Sequence, residues 1–73
     1  MLRYVVRSFR RSDGRVTVTI PDVPIAVGHG LSDLEALRRA RQALRAALKR
    51  YIEAGFELPK ARSQGSRTIR VFV

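Results

Sequence analysis

Residues 32–54, "SDLEALRRARQALRAALKRYIEA", contain neither proline nor glycine and are built mostly from alanine, leucine and arginine, the strongest helix formers. A helix that long in a 73-residue chain leaves room for little besides a small sheet to bury its apolar side. The start is marked by "SDLE", a capping box in which Ser32 accepts from the amide near Glu35 and Glu35 reaches back to Ser32. Asp33 and Glu35 also complement the positive end of the helix dipole. Gly55 supplies a left-handed stop, with Pro59 beyond it. At helical spacing Leu34, Leu37, Ala40, Leu44, Ala47, Leu48, Tyr51 and Ile52 form one broad apolar stripe, the expected core face. Arg38, Arg39, Gln42, Arg45, Lys49 and Arg50 lie opposite. Arg41 sits at the stripe's edge, where its methylene stem can cover the sheet while its head stays in water.

The rest of the chain reads as strands. "LRYVVRSF", 2–9, suits a half-buried pleated surface, with Leu2, Tyr4 and Val6 on one face and Arg3, Val5, Arg7 and Phe9 on the other. Asp13-Gly14 is a hairpin turn signal. "RVTVTI" then alternates, with Val16, Val18 and Ile20 inward and Arg15, Thr17 and Thr19 outward. "PDVP" stops this strand, because proline cannot donate to a ladder and stiffens the residue before it. "IAVGHG" is a short third strand for an edge, where Gly28 and Gly30 permit close backbone approach. After a polar loop at 59–66, "RTIRVFV", 67–73, reads as the last strand, with Ile69, Val71 and Val73 on one face. The expected architecture is α+β in the order β-β-β-α-β, one helix on one face of a small, mainly antiparallel sheet. The other face would carry Arg3, Arg7, Thr17, Thr19 and Arg70 among Val5, Phe9 and Phe72. That half-apolar surface and an exposed strand edge lead us to expect a homodimer.

Length and 45% hydrophobic content fit a single packed domain over residues 1–73. No apolar run approaches the roughly 18 residues of a membrane span, and the amino terminus lacks the features of a signal peptide. With no cysteine, disulfides and thiolate metal sites are excluded, and a cytoplasmic setting is expected.

Fifteen Lys and Arg against six Asp and Glu give +9 at pH 7. Such a field steers polyanions toward a surface, although it also serves as a solvating coat. Arg38, Arg39, Arg45, Lys49 and Arg50 on the helix, with Arg10 and Arg11 near the hairpin tip, form the candidate nucleic-acid or acidic-partner patch. No helix-turn-helix, zinc-finger or RNA-recognition signature accompanies it. His29 is the single histidine, too few ligands for a zinc centre, which needs roughly three or four. The carboxylates are scattered and no serine sits in a nucleophile elbow. Neither a catalytic residue, a metal nor a cofactor is expected.

Taken in order, Gly14, Pro21-Asp22-Val23-Pro24, Gly30, Glu35-Ala36, Ala43-Leu44 and Gly55 to Pro59 resemble the amino-terminal domain of HicB-type antitoxins. That resemblance implies a partial RNase H-like fold without nuclease chemistry, usually dimeric, that neutralises a small HicA-type toxin ribonuclease by occlusion. Many members add a carboxyl-terminal DNA-binding domain; here none is expected, since the chain closes on its last strand. The expected function is therefore an antitoxin-like binding module, with Asp22, Pro24 and His29 as the candidate partner surface. The alternative is a basic nucleic-acid-binding regulator working through the arginine face of the helix.

Overall fold

Ser32 adopts extended geometry and its hydroxyl accepts the Glu35 amide at 3.2 Å, so helix α1 starts where the capping signal lies and runs Asp33–Glu53. The structure is a computed structural model and describes residues 2–72. In place of the reciprocal bond expected from Glu35 to Ser32, the Glu35 carboxylate pairs with Arg39 one turn on, at 3.4 Å. At the other end the amides of Gly55 and Phe56 donate to the carbonyls of Ile52 and Tyr51, and Gly55 takes φ +78°. This is a Schellman closure, which only a residue tolerating the left-handed region completes without strain.

Among the described residues five strands accompany the helix: β1 (Leu2–Val5), β2 (Arg7–Arg10), β3 (Val16–Thr19), β4 (Val27–Gly30) and β5 (Thr68–Val71). All pairings are antiparallel, in two sheets ordered β1-β5 and β2-β3-β4. The strand expected over residues 2–9 is therefore divided at Val6. Tyr4, Val5 and Val6 are all buried, and three successive residues cannot face inward on a regular pleat. The chain bends there, and the Val6 amide donates to Arg67 O as the segment passes from β5 to β3. Val5, expected outward, is covered by the loop before β5: a Cβ on Gly65 would stand 2.8 Å from Val5 Cγ1. Ile69 and Val71 point into the core as expected; Val73, assigned to the same face, lies outside the described residues.

The proline-rich segment resolves into two consecutive turns. The Val23 amide donates to Ile20 O and the Ala26 amide to Val23 O, each at 2.9 Å. Pro21 and Pro24 thus occupy the second position of each turn, where proline's fixed φ fits and no amide is required. Val23 and Ala26 between them are fully buried, so the turn pair serves the core as well as the direction of the chain.

Helix α1 packs chiefly on β4 and β3. The approach is set by Gly28: a Cβ there would lie 2.8 Å from Ala40 Cα and closer still to Ala36 O and Ala40 N. The contact line consequently runs through Ala36, Ala40, Leu44, Ala47 and Leu48, all buried. Ala36 was absent from the expected stripe. Leu34 and Ile52, included in it, are 58% and 52% exposed. At 3.6 residues per turn both stand roughly a third of a turn from that line. Tyr4, Val6, Val16, Val18, Ile20, Val23, Ile69 and Val71 complete the core.

Candidate functional site

Two surfaces stand out, at opposite flanks of α1. The first lies at its carboxyl end, where Ile25, Ala47, Tyr51, Ala54 and Phe56 line an apolar hollow of about 300 Å³ beside Arg50. The second proline-led turn presents Ile25 and the Schellman closure presents Phe56, leaving them 65% and 69% exposed. Large apolar side chains held outward together, rather than scattered, mark a contact surface. Next to it, Pro21, Asp22, Pro24, Glu57, Leu58, Pro59, Lys60 and Arg62 border a larger, more polar depression.

Asp22 is half-buried and engaged within the chain. Its carboxylate accepts the Ser63 hydroxyl at 2.9 Å and the Ser63 amide at 3.1 and 3.2 Å. Tyr4 donates its hydroxyl to Pro59 O at 2.6 Å, so both ends of the loop from Pro59 to Ser63 are tied to the core and the turn pair. Burial pushes the Tyr4 phenol above its ordinary range, with the Asp22 and Tyr51 charges adding; the neutral, donating form is therefore the stable one. Pro24 is exposed at the rim. His29 is exposed on the sheet face away from α1, where its Nδ1 and Thr17 Oγ1 share a hydrogen bond at 3.0 Å. Asp22 and His29 take separate partners, and their geometry assembles no acid–base pair. Among the described residues, no group of three or more His, Cys, Asp or Glu could hold a metal ion.

The second surface is basic. Arg38, Arg45 and Lys49 are exposed opposite the core, as expected, and Arg50 is exposed near the apolar hollow. Two members of the expected patch are partly committed elsewhere: Arg39 donates to His29 O at 2.9 Å and pairs with Glu35, while Arg10 approaches Asp33 at 3.9 Å. Arg11 closes the hairpin turn through its backbone. Sequence reasoning missed Arg41 with Arg70 and Phe72, which share a hollow with Arg45 between α1 and β5, because nothing local links residues that far apart in the chain. It also missed Phe56, although an apolar residue just past a glycine helix stop is a readable sign of the closure it completes.

Among the described residues, no helix is long and apolar enough to cross a membrane. No family model matches the sequence, and no curated protein matches it. Among solved structures, the chain is similar to the N-terminal domain of the antitoxin HicB of Burkholderia pseudomallei. The TM-score is 0.77 at 21% identity, over 86% of this chain and 74% of that one. The fold is thus α+β, antiparallel strands with one helix, and similar to that of the HicB N-terminal domain.

Proposed function

We propose that the chain is an antitoxin-like module that occludes a small HicA-type toxin ribonuclease by direct protein contact, without chemistry of its own. The single observation carrying this reading is the fold likeness to an antitoxin domain over 86% of the chain.

The surface suits the task. A basic, RNA-cleaving partner would be repelled by a chain of net charge +9, but the apolar hollow and its rim carry little of that excess. Asp22 and Glu57 stand there with Arg50, Lys60 and Arg62 around Ile25 and Phe56. Aromatic and aliphatic anchors of this kind, ringed by polar groups, carry most of the affinity in protein interfaces. On this reading Pro24 sits at the contact's rim and Asp22 holds the loop that shapes it. His29, on the open sheet face with the exposed Phe9, belongs to the contact between two copies in a cytoplasmic homodimer.

The test is co-expression with the product of the adjoining reading frame, expected to be a small basic protein with a lone central histidine. Expression of that product alone should arrest growth, and the present chain should restore growth and co-purify with it. Undiminished arrest, with no co-purification, would overturn the proposal.

A further inference from the structure

We propose that the hollow between α1 and β5 binds single-stranded nucleic acid, its arginines taking backbone phosphates and Phe72 stacking on one unpaired base. This rests on a different surface from the antitoxin reading and stands or falls separately.

Arg41 and Arg45 from α1 and Arg70 from β5 border a hollow of about 320 Å³, floored by Val71 and Phe72. Among the described residues, none of these three guanidinium groups has a carboxylate within ion-pair distance; the ion pairs present use Arg10, Arg15 and Arg39. Arg3 stands directly opposite Arg70 in the β1–β5 register, a like-charge placement that weakens a sheet. The six carboxylates lie elsewhere, at the hairpin tip, the turn pair and the two helix ends. Among the described residues the patch is therefore of one sign, and such a patch raises the local concentration of polyanions. Arg38 and Lys49 prolong it, continuing the exposed row through Arg45 at steps of three to four residues, roughly 5–6 Å along the axis.

Phe72 narrows the ligand. Its ring is 69% exposed beside the guanidinium groups. Groove arginines with a bare aromatic ring are how single strands are bound without sequence readout, because every unpaired base offers a stacking face. Duplex keeps those faces covered, and an acidic peptide has no use for the ring.

Fluorescence anisotropy with a labelled oligouridylate tests this. Binding through three phosphates should weaken about twenty-fold between about 50 and about 200 mM salt, from a log–log slope of about −0.7 per contact. The Arg41→Gln, Arg45→Gln, Arg70→Gln triple variant should flatten that slope by about 2. Phe72→Ala should weaken binding about ten-fold and leave the slope unchanged. A control with the same loss of charge, Arg15→Gln, Lys60→Gln and Arg62→Gln, should bind within about three-fold of the parent, since its sites lie outside the hollow. All these positions are exposed, and circular dichroism checks that each variant folds. Equal losses from the two triples, no binding at low salt, or competition by polyglutamate as effective as by oligouridylate would each overturn the proposal.

Discussion

Gly28→Ala asks whether the helix really rests on the backbone of β4. In an ordinary strand interior, alanine stabilises relative to glycine by roughly 0.5–1 kcal/mol, so the sign of the change is informative. Here the added methyl would stand 2.8 Å from Ala40 Cα and nearer still to Ala36 O and Ala40 N, where ordinary contact begins at 3.4 Å. Backbone cannot rotate aside as a side chain can. Helix α1 must lift by about 0.6 Å or more at Ala40, the shortfall from that contact distance. Lifting it draws Leu44 and Leu48, both fully buried, away from their neighbours in a close-packed interior. Overpacking alone costs about 1–3 kcal/mol, and the loosened leucines push the total to about 3 kcal/mol or beyond. A chain of 73 residues has about 4–11 kcal/mol of stability in all, so a large share would be lost. Urea denaturation followed by helical circular dichroism measures it. Gly14→Ala is the control: nothing lies within 4 Å of its added methyl, and only the left-handed φ of +87° is strained, about 1–2 kcal/mol. A Gly28→Ala protein within about 0.5 kcal/mol of the parent, the range of an unconstrained surface change, would refute the close seating of the helix.

Asp22→Ala leaves the Ser63 amide and hydroxyl without their acceptor; the expected loss is about 1–3 kcal/mol, with faster hydrogen exchange at the Ser63 amide while the α1 amides keep their protection relative to global unfolding. The raised Tyr4 phenol makes stability depend on alkaline pH: the folded chain holds that proton more tightly than the unfolded one. Its contribution is therefore full below about pH 10 and declines as pH rises past that value. Tyr4→Phe should remove that decline while lowering stability at neutral pH through loss of the bond to Pro59 O, both visible in urea midpoints taken across the range.

Much of the fold was legible because its signals are local. Ser32, Gly55 and the Asp13-Gly14 turn each act through backbone geometry within a few residues, and the alternation of Val16, Val18 and Ile20 needs only the period of a strand. What escaped depends on partners distant in sequence. The bend at Val6 arises because β5 claims one half of the segment and β3 the other. The rotation that buries Ala36 and exposes Leu34 is dictated by Gly28, a residue whose effect is the absence of a side chain. The candidate surfaces divide the same way: the exposed arginines of the helix were readable from spacing, whereas Ile25 meets Phe56, and Arg41 meets Arg70, only once the chain has folded.

Hydrogen-exchange footprinting of the chain in complex with the product of the adjoining reading frame tests the central functional claim most directly. New protection should gather at residues 24–27 and 50–57, around Ile25, Tyr51 and Phe56, and should persist at high salt because that contact is largely apolar. Protection confined to Arg38, Arg41, Arg45 and Lys49, or found nowhere on the chain, would contradict it.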